Sequence, residues 1–189
     1  TIVVDPGHGG RESGARDGKV LEKDLNLKIA AEVAAQLRAA GAGVILTRET
    51  DVLMSLPSRP QTAIDNNADF FISIHCNSNA APGSASGIET YYHKRDISGM
   101  LLADSVHAAM CAHTGSIDRR VRSDTSLYST GFAVLRGLQG TTIPGLLLEC
   151  GYLNHSGDRA RLGKPEFHKK IASGVVAGLK RYVEGGATD

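Results

Sequence analysis

Asp69-Phe70-Phe71-Ile72-Ser73-Ile74-His75 is the stretch that decides the fold. It is short, almost wholly apolar, and stops on an ionisable ring, which reads as a buried strand delivering a histidine to its end. Two other runs stop the same way. Thr1-Ile2-Val3-Val4 leads into Asp5-Pro6-Gly7-His8-Gly9-Gly10, and Gly145-Leu146-Leu147-Leu148 leads into Glu149. In an open α/β sheet, chemistry gathers beyond the carboxyl ends of the strands. Three strands therefore aim His8, His75 and Glu149 at one place.

Working outward, strand signals fall at 2–5, 43–48, 69–75, 87–92, 132–135 and 145–149. Helix signals alternate with them. Leu25, Ile29, Val33 and Leu37 recur every fourth residue and predict a helix from about 23 to 40. Pro60 to Asn66 reads as a shorter helix, and Leu102, Val106, Ala109 and Met110 mark a third at about 97–113. Pro165 opens a fourth, with Phe167, Ile171, Val175 and Leu179 on its inner face. The alternation predicts an α/β fold. The expectation is a single domain over residues 1–189: a six-stranded, twisted, mixed sheet with helices on both faces. Residues 80–87 and 114–131 read as loops, the second long, non-periodic and a candidate border of a binding groove.

Composition narrows the function classes. Lys plus Arg (21) nearly balance Asp plus Glu (20), so nucleic acid is not an expected partner. No apolar run approaches the roughly 20 residues of a membrane span. The chain begins inside a strand-like run, which reads as a mature domain trimmed from a longer envelope protein. The cysteine positions 76, 111 and 150 match no zinc or redox spacing. Free, mostly buried thiols are expected, with a Cys76–Cys150 disulfide as the alternative because both follow strand ends.

Two histidines and a carboxylate suffice for a catalytic zinc with an open position, and a further carboxylate can then move a proton. His8 sits among glycines that keep its ring accessible. Asp5 either orients His8 or bonds to the turn backbone. His75 is a ligand or a core histidine; Asn77 and Ser78 after it serve substrate or the turn. Glu22 starts the first helix, where an ordinary first-turn glutamate is the simpler reading. Glu149 follows three leucines, and burial would raise its pKa toward a range useful for a general base; the alternative is an ion pair with Arg136. His107, His113 and His168 are expected at surface or rim positions, and His155 could line the cleft. The chain has no His-Glu-x-x-His, Gly-x-Ser-x-Gly or phosphate loop.

Five blocks carry a family resemblance. Val4-Asp5-Pro6-Gly7-His8-Gly9-Gly10, Leu21-Glu22-Lys23-Asp24-Leu25-Asn26-Leu27, Thr47-Arg48-Glu49-Thr50-Asp51, Ser73-Ile74-His75-Cys76-Asn77-Ser78 and Leu148-Glu149-Cys150-Gly151-Tyr152-Leu153 occur in this order. Together they resemble the zinc-dependent N-acetylmuramoyl-L-alanine amidases of the amidase_3 type, over nearly the whole chain. The resemblance implies cleavage of the amide between the lactyl group of muramic acid and L-alanine in peptidoglycan. It makes Glu22 a ligand, with His8 and His75, to one Zn²⁺ per chain, and leaves Glu149 as the general base. It further implies a monomer in the cell envelope, periplasmic or secreted, serving cell-wall degradation and cell division. A different zinc hydrolase on the same scaffold, such as a carboxypeptidase or deacylase, and a noncatalytic wall-binding module remain as alternatives. Some relatives plug their own zinc with an inserted helix. Residues 114–131, with Asp118 and Asp124 as the available carboxylates, look too short for that, so an open groove and constitutive activity are expected.

Overall fold

A computed structural model describes residues 1–185. The order of elements is β1 (Ile2–Pro6), β2 (Arg16–Asp17), β3 (Val20–Leu21), α1 (Glu22–Ala39), β4 (Val44–Leu46), α2 (Ser58–Asp65), β5 (Phe70–Asn77), β6 (Ile88–Tyr92), α3 (Ile97–Thr114), β7 (Asp118–Ser123), α4 (Ala133–Arg136), β8 (Gly145–Tyr152), α5 (Ser156–Leu162) and α6 (Pro165–Val183). Six strands form one mixed sheet in the order β4-β1-β5-β8-β6-β7, and β2 pairs with β3 in a small antiparallel hairpin. β4, β1, β5 and β8 run parallel; β6 is antiparallel to β8 and parallel to β7.

The period-two alternation of strands sorts the core into two layers. Ile2, Val4, Ile72, Ile74, Leu146 and Leu148 face the layer built by α1, α3 and α6, where Ile29, Val33, Val106 and Ile171 are closed to solvent. Val3, Phe71, Tyr91 and Leu147 face the other layer, against Ala63 of α2 and Val134 and Leu135 of α4. Helices thus cover both faces, as a mostly parallel sheet requires. Among the described residues, no helix is long and apolar enough to cross a membrane.

Two sequence expectations change. Residues 132–135 are not a strand: Ala133–Arg136 is a single helical turn. The sixth strand is instead β7, inside the stretch expected to be a loop. It is an edge strand whose residues alternate between exposed and half-buried, with Val121 its only aliphatic side chain. Charged edge strands discourage pairing with other chains, and that same charge hides them in a hydrophobicity reading.

The cysteines are free, with Cys76 and Cys150 buried and Cys111 half-buried, so the disulfide alternative falls. Cys76 and Cys150 belong to the α1/α3/α6 core, on the face of the sheet away from His75 and Glu149.

Candidate metal centre and groove

The strand order reverses direction at β1, which has β4 on one side and β5 on the other. The crevice outside the carboxyl ends of β1 and β5 is the place where an open α/β sheet offers a site. His8 stands just past β1 and His75 near the end of β5. Glu22, the first residue of α1, reaches between them. Its Oε1 lies 2.9 Å from His75 Nδ1 and its Oε2 3.2 Å from His8 Nε2. One donor atom from each residue falls within 4.8 Å of the others, a grouping able to hold a metal ion.

The surroundings hold these groups in place. The N–H groups of Ala15 (2.7 Å) and Cys76 (3.2 Å) donate to Glu22, as does Asn26 Nδ2 (3.3 Å). Burial alone would raise the Glu22 pKa, but hydrogen bonds from His75 and His8 hold it well below the usual carboxylate range. Two glycines make room. A Cβ on Gly7 would lie 2.2 Å from the His75 ring, and one on Gly14, at φ 65°, would lie 2.4 Å from Glu22 Oε2.

His8 has φ 59°, the left-handed region that a non-glycine residue occupies only under constraint. The constraint is two buried arginines. Arg59 donates to the carbonyls of Pro6 and His8 at 2.8 Å each, and to Asp5 Oδ1 at 2.7 Å. Arg48 donates to the carbonyls of Pro6 (3.0 Å), Gly7 (2.9 Å) and Lys23 (2.9 Å). Asp5 therefore does not touch His8: it accepts from Arg59, Thr47 Oγ1 and Ser73 Oγ, and positions the turn through the arginine. Asp51 accepts from the Gly10 N–H at 2.7 Å and pairs with Lys23 at 2.6 Å, closing the far side of the same loop.

Glu149 is directly opposite His75 in the β5–β8 register, and Glu89 is directly opposite Glu149 across β8–β6. The three form one row across the sheet. Glu149 is buried and its Oε2 has no hydrogen-bond partner. Burial, reinforced by the charges of Glu22 and Glu89, raises its pKa well above the usual value. Arg136 does not pair with it; that guanidinium donates to the carbonyls of Thr130 and Gly131.

Glu89 is the residue that sequence reading missed. It accepts from Arg119 Nε (2.8 Å), Tyr152 Oη (2.8 Å), Tyr91 Oη (2.7 Å) and Asn77 Nδ2 (3.0 Å). Burial would raise its pKa, yet Arg119 and the two tyrosines keep it lowered. The available signal was a lone carboxylate in the strand 87–92.

The groove holding this row is also lined by Leu56, Leu127 and Tyr128, all exposed. Ala85 and Arg122 add the expected contributions from the 80–87 and 114–131 segments. Asp118 and Asp124 of the latter are engaged elsewhere: Asp118 bonds to His107 Nε2, and the buried Asp124 accepts from the N–H of Phe132. His155 does not line the groove; it caps α5, accepting from the Asp158 N–H. His107 and His168 are buried rather than at the rim, while His113 is exposed.

The amidase_3 family model, described as N-acetylmuramoyl-L-alanine amidase, matches residues 2–181. The chain belongs to the amidase_3 family. Its likeness to named amidases covers nearly all of this chain. It is 31% identical over 196 residues to the germination-specific N-acetylmuramoyl-L-alanine amidase of Bacillus subtilis strain 168, covering 96% of this chain and 78% of that protein. It is 33% identical over 184 residues to the N-acetylmuramoyl-L-alanine amidase LytC of the same strain, covering 96% of this chain but only 35% of that longer protein. The crystal structure of the N-acetylmuramoyl-L-alanine amidase from Clostridium difficile 630 superposes with a TM-score of 0.87 at 30% identity, over 98% of this chain and 97% of the other.

Proposed function

We propose that this amidase_3 domain hydrolyses the amide joining the muramic acid lactyl group to L-alanine in peptidoglycan, with His8, Glu22 and His75 holding one Zn²⁺ and Glu149 serving as general base. The observation that carries the reading is the placement of Glu149. It is a buried carboxylate with an unpartnered oxygen, one strand away from His75 in register and lining the same groove as the donor cluster. The donor set suits the ion, since imidazole nitrogens and a carboxylate are ordinary zinc ligands and three of them leave a position open. When bound, zinc supplies Lewis acidity to the scissile carbonyl and to water, and its positive charge favours the ionised form of Glu149.

The protein's own groups do the rest. Glu22, kept ionised by its neighbours, supplies the anionic ligand. Glu149 takes the proton from the attacking water and returns it to the departing L-alanine nitrogen. Arg59 and Arg48 hold the His8 turn still, so that the donors are aligned before substrate arrives. Leu56, Leu127 and Tyr128 offer apolar walls to the glycan and stem peptide. With Asp118 and Asp124 both occupied, the groove is open and the domain works constitutively, as a monomer in the cell envelope where its polymer substrate lies.

Digestion of purified peptidoglycan followed by mass spectrometry tests the bond. New L-alanine amino termini beside intact muramic acid support the proposal. Release of carboxy-terminal residues or of acyl groups would instead favour the carboxypeptidase or deacylase reading, and binding without products the noncatalytic one.

A further inference from the structure

A second cluster of metal-type donors lies on the other face of the sheet. His107 and Cys111 are one turn apart on α3, and Asp118 is the first residue of β7. His107 Nε2 is 2.8 Å from Asp118 Oδ1 and 3.6 Å from Cys111 Sγ. Donor atoms of all three lie within 4.8 Å of one another. His107 is buried, Cys111 half-buried and Asp118 exposed, so the cluster opens to solvent on one side.

The arrangement is wrong for a Cys-His-Asp relay. A relay places the thiol and the carboxylate on opposite nitrogens of the imidazole. Here both converge on Nε2, while Nδ1 faces the buried Thr90 Oγ1 at 2.9 Å. In the metal-free protein the 2.8 Å contact holds a proton between Nε2 and Asp118. Once a cation displaces that proton to solvent and Nδ1–H donates to Thr90, the Nε2 lone pair points between the thiol and the carboxylate. A second ring nitrogen fixed by an outer hydrogen bond is the usual support of a metal-binding histidine. The spacing fits as well. Tetrahedral zinc with Zn–S about 2.3 Å and Zn–N about 2.0 Å separates S from N by roughly 3.5 Å, close to the 3.6 Å seen. The imidazole–carboxylate pair must open by roughly half an ångström from 2.8 Å, and the exposed Asp118 side chain can move.

We propose that His107, Cys111 and Asp118 form a second divalent-cation site, of the zinc or cobalt class, with solvent completing the coordination. An ion there clamps α3 to the edge strand β7, whose Arg119 and Arg122 enter the groove on the opposite face. Burial, and then the charge of Asp118, push the Cys111 thiol up to about 11, so it binds as thiolate only by releasing a proton to solvent as the cation arrives.

Cobalt distinguishes the two sites, because the His8–Glu22–His75 cluster contains no sulfur. Titrating the metal-free protein with Co²⁺ should produce thiolate-to-cobalt charge-transfer absorption in the near ultraviolet, with a stoichiometry of two ions per chain. Cys111→Ser should abolish that absorption, bind one ion, and keep amidase activity. Thr90→Val should weaken the sulfur-bearing site by ~10- to 100-fold through loss of the imidazole's outer partner. No charge-transfer band at saturating Co²⁺, or a band that survives Cys111→Ser and so arises at Cys76 or Cys150, overturns the proposal. Either result would leave His107 and Asp118 as a hydrogen-bonded pair.

Discussion

Glu89 and Glu149 face each other on neighbouring strands, both nearly closed to water, yet their circumstances are opposite. Glu89 receives four donors, one of them a guanidinium. Glu149 has an oxygen that receives none. Burial pushes both pKa values up; donors reverse the push at Glu89, while the charges of Glu22 and Glu89 add to it at Glu149. A satisfied buried carboxylate anchors the strands around it. An unsatisfied one has its pKa raised, the condition in which proton-transfer groups are commonly found. Five ångströms or so of sheet, the spacing between strands, separates architecture from chemistry.

The sharpest way to break this contrast is to remove the metal. Chelation should abolish turnover and added Zn²⁺ should restore it; activity that persists in protein shown by elemental analysis to be metal-free would end the zinc reading. Next in size is Glu149→Gln, which should lower kcat by ~10²–10⁴-fold, since an amide cannot accept the proton. Zinc content should stay, and Tm should stay or rise. If Glu149→Gln instead loses zinc while Glu22→Ala keeps it, the two carboxylates have exchanged roles.

Glu89→Gln should show the reverse balance. It strips charge from four hydrogen bonds and leaves the partly exposed Arg119 without its counter-ion, costing about 2–3 kcal/mol in a urea titration. Its kcat should change far less than that of Glu149→Gln. Equal losses of kcat in the two folded variants would erase the distinction.

Asp158 sharpens the comparison by pH. This buried carboxylate accepts from the N–H groups of Tyr152 and Gly87, from Ser86 Oγ and from Arg161. Burial would raise its pKa, but those donors hold it below the ordinary value. A depressed folded pKa gives stability that is complete above the unfolded value of about 3.9 and is lost as pH falls through the folded one. Asp158→Asn should therefore cost about 1–2 kcal/mol at pH 7. The gap between wild type and variant should narrow in acid; a gap that widened below pH 4 would contradict the assignment.

Most of the sheet was legible, as were His8, His75 and Glu149, because their signals are local; Glu22, which looks like an ordinary first-turn glutamate, joined them only through the family resemblance. β1, β5 and β8 are dense apolar runs, and each ends close to a residue of the site. Phe132 to Leu135 misled for a physical reason: four apolar residues cannot distinguish a strand from a helical turn. β7 was hidden by its own charges, and the two-residue strands β2 and β3 are too short to show any period. Glu89 needed the cross-strand register with Glu149, which no single run contains. Cysteine spacing alone missed the His107–Cys111–Asp118 cluster, because its cysteine pairs with a histidine one helical turn earlier. Arg48 stood out within a motif, but its task of gripping the Pro6–Gly7 carbonyls is visible only in three dimensions.

Arg48 and Arg59, closed over the backbone of the His8 turn, bear on how the chain would behave without the zinc proposed for it. In a zinc finger the cation organises the chain, and losing it means unfolding. Here the carbonyls are gripped by guanidinium groups that belong to the protein and never depart. Metal-starved molecules would therefore circulate as finished sockets, able to accept an ion at any later time without refolding.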